Sequence, residues 1–408
     1  MPLRNSLLRA GALGLLSLHA IGAQRAAVPQ TVVMISFDGF RADYMERPAA
    51  VHLRALAARG VRAERLEPSF PSKTYPNHYA LVTGLYPEHN GIVANSMQDA
   101  TLGHFAIGDD PAVRDARWWF GEPIWVTAEK QGLRAAAYFW PGSEAPIGGV
   151  RPTWYKKYDG TVPNAVRVRA VLEWLALPVG QAPRLINAYF SDADDFGHKY
   201  GPRALETDSA IARLDSVVGA IMDGVTRLGL DATVNLIIVS DHGMAEIAPD
   251  RLVYLDDYVS LDSLDVVDWT PIAAIAPKQG KERYVYDALK RANPHLAIYR
   301  KAEVPARFNF NSGSRITPIV GIADEGWSIT TRPRAAKVAP WSIGGAHGYD
   351  NQLQSMGALF VASGPAFKSG LVVPPFQNIH VYSLLAEILR LKPAKTDGSL
   401  DSVRVLLR

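Results

Sequence analysis

The sequence has no cysteine among its 408 residues. Disulfide bonds and thiolate metal ligands are therefore excluded, and any metal site has to use histidine nitrogen and carboxylate oxygen. A strong excess of one charge is also missing, because the formal net charge is only +3. Proteins that hold nucleic acid usually present a strongly basic surface, so we expect no stable nucleic-acid complex.

Long hydrophobic runs are scarce as well. A transmembrane helix needs about 18 consecutive apolar residues, and no segment after the N-terminal region reaches that length. The N-terminal region has the pattern of a secretory signal, with Arg4 and Arg9, a short apolar stretch, and small residues around Ala23. We predict a signal peptide over residues 1–23, or cleavage near Ala27, and a periplasmic or secreted protein without a membrane span. A core helix or membrane anchor is the alternative.

Strand-like and helix-like segments alternate along the rest of the chain. This alternation predicts an α/β fold with a mostly parallel sheet and helices on both faces. Residues 244–340 are poorer in long apolar runs and contain two possible hairpins. We predict a single domain over residues 24–408, with 244–340 as a smaller inserted region. The predicted strands are 31–37, 134–139, 184–190, 233–240 and 356–362, and the predicted helices include 49–60, 204–229 and the segment IHVYSLLAEILRLK.

Aspartate and histidine residues follow the ends of several predicted strands. In an open α/β sheet the carboxyl ends of the strands meet at one crevice, so these side chains are expected to converge. Six such ligands favour two metal ions, which would clamp the attacking and leaving oxygens of a phosphoryl transfer. The spacing pairs Asp194 with His198, and either Asp192 or Asp195 is an alternative to Asp194. The expected ligand sets are Asp194, His198 and His347 for one ion, and Asp38, Asp241 and His242 with Thr74 for the other.

A threonine supplies the candidate nucleophile. Thr74 lies two residues before Pro76, at the predicted start of a helix, where backbone N–H groups attract anions. A hydroxyl next to a metal ion loses its proton more easily and can attack phosphorus. The alternative is a threonine that only caps the helix. The surrounding ligand candidates favour the nucleophile.

Several segments resemble the motifs of the nucleotide pyrophosphatase/phosphodiesterases, bacterial type, of the alkaline phosphatase superfamily. The segments are SFDGFR, PSKTYPNHYALVTGLYPEHNGIVAN, DADDFGHKYGP, SDHGM and GGAHGYDN. The resemblance implies an alkaline-phosphatase-like fold, two zinc ions on the ligands named above, and a phosphothreonine intermediate at Thr74. It also implies that Asn95 and the Thr74 backbone N–H donate hydrogen bonds to a phosphate oxygen. Manganese, iron or cobalt would suit the same ligands.

Aromatic residues point to the substrate. Tyr75 adjoins the candidate nucleophile, and Trp140, Tyr158 and Tyr189 match positions at which nucleotide-cleaving relatives stack a base. The alternative for Trp140 and Tyr189 is a core position at a strand end. Base stacking contributes about 1–3 kcal/mol. We expect a small-molecule nucleotide substrate, such as ATP or a dinucleotide, cleaved to nucleoside 5′-monophosphates.

Other functions are weighed against this expectation. A phosphomonoesterase or a phospholipid-head-group phosphodiesterase on the same fold is the main alternative. A sulfatase is disfavoured, because that chemistry needs cysteine or serine matured to formylglycine. A binding protein without catalysis is disfavoured by the complete set of ligands and nucleophile. No oligomeric state is predicted.

Overall fold

The computed structural model describes residues 29–337 and 344–408, so the predicted signal peptide lies outside the described residues. The strands are β1 Thr31–Phe37, β2 Val61–Ala63, β3 Leu66–Glu67, β4 Ser96–Asp99, β5 Gly103–Ala106, β6 Ala135–Tyr138, β7 Trp154–Lys156, β8 Leu185–Phe190, β9 Val234–Val239, β10 Ala245–Ile247, β11 Leu252–Tyr254, β12 Leu264–Asp268, β13 Ile272–Pro277, β14 Leu296–Arg300, β15 Ile319–Ala323, β16 Ser328–Thr330, β17 Gly344–Ala346, β18 Phe360–Ser363, β19 Leu371–Val373 and β20 Phe376–Gln377. The α-helices are α1 Val51–Arg59, α2 Thr74–Thr83, α3 Pro87–Asn90, α4 Asp110–Val113, α5 Ile124–Lys130, α6 Asn164–Leu175, α7 Asp192–Tyr200, α8 Leu205–Arg227, α9 Glu282–Leu289, α10 Arg332–Lys337 and α11 His380–Leu389. Short 3-10 helices cover Ala42–Glu46, Ala116–Trp118, Leu255–Asp257, Leu261–Ser263, Lys301–Glu303, Ala306–Phe308, Gln354–Met356, Leu400–Ser402 and Arg404–Leu406.

The largest sheet among the described residues has the strand order β19-β2-β18-β9-β1-β8-β6-β7. Every strand in it except β18 runs in the same direction. The predicted mostly parallel α/β sheet is therefore confirmed. Because β1 lies between β8 and β9, the carboxyl ends of these three strands are neighbours at one edge.

Strand β1 shows why helices cover both faces of this sheet. Its side chains alternate in direction, as in any strand. Val32 and Met34 belong to a core that also contains residues of α2, α5 and α11, whereas Val33 and Ile35 pack with residues of α1, α6 and α8. All seven residues of β1 are buried. Such continuous burial is typical of a central parallel strand.

The end of the chain differs from the prediction in one strand. A strand was expected over residues 356–362, but β18 begins only at Phe360. The preceding residues form a 3-10 turn, in which the carbonyls of Ser355 and Met356 accept hydrogen bonds from the backbone N–H groups of Met244 and Gly243. These bonds hold the segment against the loop that follows β9, so it cannot extend β18.

The second sheet lies within residues 244–340, where hairpins were expected. It is antiparallel, with the order β12-β13-β15-β14, and α9 packs on it with its own core. Ile272, Val320 and Ile322 from this sheet also belong to the core on the α2 side of the central sheet. Because the two sheets share a core, we propose that residues 244–340 elaborate a single domain. Within residues 29–337 and 344–408, no helix has the length and apolar character needed to cross a bilayer.

Candidate active site

The carboxyl edge of the central sheet collects the predicted ligands from distant parts of the chain. Phe37 at the end of β1 pairs with Phe190 of β8, and Ser36 pairs with Val239 of β9. Asp38, the start of α7 and Asp241 therefore leave the sheet side by side. Strand β17 pairs antiparallel with β10, and this pairing brings His347 back to the loop after β9.

Gly39 allows the loop after β1 to lie close to the start of α7. Gly39 has a φ of +67°, and a Cβ atom built on it would lie 2.9 Å from backbone and side-chain atoms of Asp194. A side chain at this position would therefore push Asp38 and Asp194 apart. The backbone N–H of Gly39 also donates a hydrogen bond to Oδ1 of Asp241 at 3.1 Å, which orients that carboxylate.

The candidate ligand atoms form two adjacent groups. Asp38, Asp241 and His242 offer ligand atoms within 4.8 Å of one another, and so do Asp194, His242 and His347. The first group has the predicted membership. The second group differs from the predicted set of Asp194, His198 and His347, because His242 takes the place of His198. His198 is nevertheless near, with its Nε2 3.4 Å from Oδ1 of Asp194. His242 is thus shared between the groups, and its ring stacks on that of His347 with centroids 3.6 Å apart.

The carboxylates of this cluster suit metal ions. One oxygen each of Asp38, Asp194 and Asp241 is buried and has no hydrogen-bond partner among the described residues. The ion pairs that these carboxylates form within the described chain are with histidines rather than with lysine or arginine. Burying several carboxylates without compensating charge is costly. Divalent cations bound by nitrogen and oxygen would supply that charge.

The protonation behaviour of the cluster reflects its burial. Burial, with the charges of Asp241 and Asp194, raises the pKa of Asp38 well above its ordinary value. Burial also raises the pKa of Asp194. For Asp241 burial is the largest single effect and acts in the same direction, but the charges and hydrogen bonds of His242 and His78 together outweigh it, and the pKa is lowered well below the ordinary value. Burial and the neighbouring histidines lower the pKa of His347 well below its ordinary value, so its ring is neutral, as a metal ligand must be.

The three histidines are oriented by backbone carbonyls. Nδ1 of His198 lies 2.8 Å from the carbonyl oxygen of Gly345. Nδ1 of His242 lies 2.9 Å from that of Gly243. Nδ1 of His347 lies 2.9 Å from the carbonyl oxygen of Ser72. When Nδ1–H donates to a carbonyl, Nε2 keeps its lone pair for a metal ion.

Thr74 is the first residue of α2 and faces the cluster. Its Oγ1 lies 3.4 Å from Nε2 of His242. Lys73, and not Thr74, occupies the N-cap position, and α2 has no side-chain cap. The alternative of a purely capping threonine therefore does not describe this position. Lys73 is itself buried and forms an ion pair with Asp268 of β12 at 2.5 Å.

Asn95 contacts the residue that follows the candidate nucleophile Thr74. Its Oδ1 accepts a hydrogen bond from the backbone N–H of Tyr75 at 3.0 Å. This bond identifies the oxygen of the amide and leaves Nδ2, a donor only, available to another acceptor. The bond ties Asn95 to the first turn of α2, which begins at Thr74.

A cleft of about 740 Å³, counting space open to solvent, adjoins Asp38 and Thr74, and all four predicted aromatic residues line it. Their environments differ. Tyr158 is half exposed, and its ring lies 6.1 Å from that of Tyr189. Trp140 is almost fully buried and donates through Nε1 to the carbonyl of His78, so it resembles a core residue at the cleft floor. The four predicted residues are Tyr75, Trp140, Tyr158 and Tyr189, and Phe139 is a fifth aromatic residue in the lining.

Two residues of the site were missed by the sequence reasoning. His78 is fully buried beneath Thr74, and its position four residues further along a helix was a usable signal, because such pairs share a face. Glu144 lines the cleft, and its Oε1 accepts a hydrogen bond from the backbone N–H of Tyr158. No pattern in the sequence indicated Glu144.

The chain is similar to known proteins over most of its length. The family model "Type I phosphodiesterase / nucleotide pyrophosphatase" matches residues 32–350. The mouse bis(5′-adenosyl)-triphosphatase ENPP4 is 40% identical over 381 residues, which are 92% of this chain and 81% of that protein. Mouse ectonucleotide pyrophosphatase/phosphodiesterase family member 1 is 38% identical over 388 residues, which cover 92% of this chain and 42% of that longer protein.

A solved structure agrees with these matches. An inactive form of murine ectonucleotide pyrophosphatase/phosphodiesterase 5, in complex with AMP, superposes with a TM-score of 0.88 at 37% identity. The superposition covers 93% of this chain and 100% of that one. The predicted alkaline-phosphatase-like α/β architecture is confirmed by this likeness.

Proposed function

Because the chain belongs to the type I phosphodiesterase/nucleotide pyrophosphatase family, we propose that it is a two-zinc hydrolase of nucleotide phosphodiester and pyrophosphate bonds. It releases nucleoside 5′-monophosphates through a phosphothreonine intermediate on Thr74. The observation that carries the proposal is the 3.4 Å approach of Thr74 Oγ1 to Nε2 of His242. His242 belongs to both groups of candidate ligands, so the hydroxyl faces the place where the groups meet.

The reaction follows from the residues around that hydroxyl. When bound, the metal ions would lower the pKa of a coordinated hydroxyl and stabilise negative charge at phosphorus and on the leaving oxygen. The Oγ atom of Thr74 attacks phosphorus, the bond to the leaving oxygen breaks as the Oγ–P bond forms, and the hydroxyl proton is released to solvent. Water then attacks the phosphothreonine, the P–Oγ bond breaks, and a proton of that water is taken up by Oγ of Thr74. Asp38, Asp194, His198, Asp241, His242 and His347 would hold the ions.

Donors beside Thr74 stabilise the transferring group. Nδ2 of Asn95 is directed by the bond between Oδ1 and the Tyr75 N–H. The N-terminus of α2, where Thr74 lies, adds the favourable end of a helix dipole for a phosphate oxygen. Donors held in place before the reaction stabilise charge that develops in the transition state.

The cleft supports a nucleotide as substrate. Tyr75 and Tyr158 line it close to Thr74, and their rings can stack on a base. One relative is named as a bis(5′-adenosyl)-triphosphatase, and the neighbouring solved structure contains AMP. A phosphomonoesterase or a phospholipid-head-group phosphodiesterase is the alternative, and the aromatic lining favours the nucleotide. We further propose that the protein acts in the periplasm or outside the cell.

Initial rates on three chromogenic esters test this function. The substrates are p-nitrophenyl thymidine 5′-monophosphate, p-nitrophenyl phosphate and p-nitrophenylphosphorylcholine. We expect the nucleotide diester to have the highest kcat/KM. A higher value for the monoester or the choline ester would overturn the substrate assignment.

A matched pair of threonine variants tests the nucleophile. Thr74→Ala should abolish turnover while leaving zinc near two per chain. Thr83→Ala removes a hydroxyl from the other end of the same helix, where Oγ1 bonds the backbone of Tyr79 and Leu85, and should keep the rate. Turnover by Thr74→Ala at the control rate would refute the phosphothreonine route.

A further inference from the structure

We propose that His78 is a positioning residue that couples the nucleophile to the candidate metal ligands and to the floor of the substrate cleft. The proposal rests on the proposed function, because it assigns His78 a role in the reaction of Thr74. His78 lies one turn after Thr74 on α2 and is fully buried. Its ring contacts polar groups from three separate segments of the chain.

The Nδ1 edge of the ring faces the catalytic residues. Nδ1 lies 2.9 Å from the carbonyl oxygen of Thr74 and 3.3 Å from Oδ2 of Asp241. Both neighbours are oxygen acceptors, so Nδ1 carries a hydrogen and donates it to the carbonyl of Thr74. That bond fixes the first turn of α2, and the ring edge sets the distance between this turn and Asp241.

The Nε2 edge anchors the ring in the central sheet. Nε2 lies 2.8 Å from Oγ of Ser36, a residue of β1. A hydroxyl can donate to a bare nitrogen or accept from an N–H group, so Ser36 can bond this edge of the ring. The ring is therefore held at both nitrogens.

The remaining contacts link His78 to the substrate cleft. Trp140 donates from Nε1 to the backbone carbonyl of His78 at 3.2 Å, and the two rings meet edge to face with centroids 5.3 Å apart. The ring of Tyr189 lies 5.1 Å from the ring of His78 on another side. Trp140 and Tyr189 both line the cleft. His78 thus lies between the residues that receive the substrate and the residues that react with it.

Two isosteric substitutions separate this role from simple core packing. The amide nitrogen of His78→Asn falls near the position of Nδ1, whereas that of His78→Gln falls near Nε2. Both substitutions keep a polar group of similar volume in the core. His52→Asn and His52→Gln are controls at a histidine outside the site, because His52 bonds Asp215 and its helix α1 packs on the opposite face of the sheet.

The measurements are kcat and KM on p-nitrophenyl thymidine 5′-monophosphate, zinc affinity by competition with a chelator, and melting temperature. We expect His78→Gln to lose about 10- to 100-fold in kcat and in zinc affinity, the range seen when partners of metal ligands are removed. KM should change little, because His78 is not among the residues that line the cleft. His78→Asn should recover most of both losses, and the His52 variants should behave as wild type.

The proposal would be overturned if His78→Asn and His78→Gln lose kcat equally and their melting temperatures fall by similar amounts. His78 would then be a packing residue. A loss confined to KM would also overturn it. The zinc competition needs no substrate and no turnover. A failure of the nucleophile assignment, shown by active Thr74→Ala, is therefore distinguishable from a failure at His78.

Discussion

Tyr189 donates its hydroxyl hydrogen to Oδ2 of Asp38 at 2.5 Å. Burial, with the nearby charge of Asp38, raises the pKa of Tyr189 well above its ordinary value, so the phenol remains a donor. The other oxygen of Asp38 has no hydrogen-bond partner among the described residues. One oxygen of Asp38 is thus held by the cleft wall, and the other is left for a cation.

This relationship predicts the effect of Tyr189→Phe. The substitution keeps the ring in the cleft and removes only the bond to Asp38. We expect zinc affinity to fall about 10-fold or more, as for other groups that orient metal ligands, with kcat reduced and KM nearly unchanged. Tyr158→Phe is the control, because that hydroxyl bonds Ser191 instead. If Tyr189→Phe raises KM and leaves zinc affinity intact, the hydroxyl serves the substrate and not Asp38.

Because both groups of candidate ligands contain His242, its removal should release more zinc than removal of His198. His242 belongs to both ligand groups, whereas His198 lies outside both and close to Asp194. We expect His242→Ala to lose most of both ions and His198→Ala to lose at most one, measured as zinc per chain after dialysis. Equal zinc content in the two variants would contradict the shared position of His242.

Removal of the metal should affect both activity and stability. Treatment with dipicolinate, followed by desalting, should abolish hydrolysis of the nucleotide diester, and added zinc should restore it. The melting temperature should fall on removal, because ions that bind only the native state stabilise it and the buried carboxylates would then repel one another. Zinc analysis of the treated protein should show less than about one-tenth of an ion per chain. Full activity in such a preparation would exclude a metal-dependent reaction.

The Arg315–Asp99 pair predicts a pH dependence of stability. The hydrogen bond from Arg315 is the main cause that lowers the pKa of Asp99 in the folded protein. In the unfolded chain this carboxyl has an ordinary pKa of about 3.9. A lowered folded-state pKa stabilises the fold above the unfolded value, and that contribution is lost as pH falls toward the folded value. The pair joins the loop before β15 to the end of β4.

Urea unfolding between about pH 5 and pH 3, a window around the ordinary carboxyl pKa, checks this prediction. The free energy of unfolding should fall less steeply with acidification in Asp99→Asn than in the wild type. Asp223→Asn, which removes a charge from an exposed position on α8, should keep the wild-type slope. An unchanged slope in Asp99→Asn would show that the pair does not contribute to acid stability.

Much of the fold was accessible from the sequence because its signals are local. The apolar runs TVVMISF and TVNLIIVS predicted buried parallel strands, and both are strands in the structure. A polar residue directly after such a run lies at the carboxyl edge of a parallel sheet, whatever the strand order. This reasoning identified Asp38 and Asp241 without knowledge of which strands are neighbours.

The sequence by itself therefore determined the type of sheet, the candidate ligands at its edge and the position of Thr74 at the start of a helix. The tertiary structure alone decided how these groups meet. It set His242 between two groups of candidate ligands, directed Tyr189 to Asp38, and brought His78 into contact with Thr74. The physical reason is that strand and helix periodicities depend on neighbouring residues, whereas these contacts depend on the packing of segments that lie far apart in the chain.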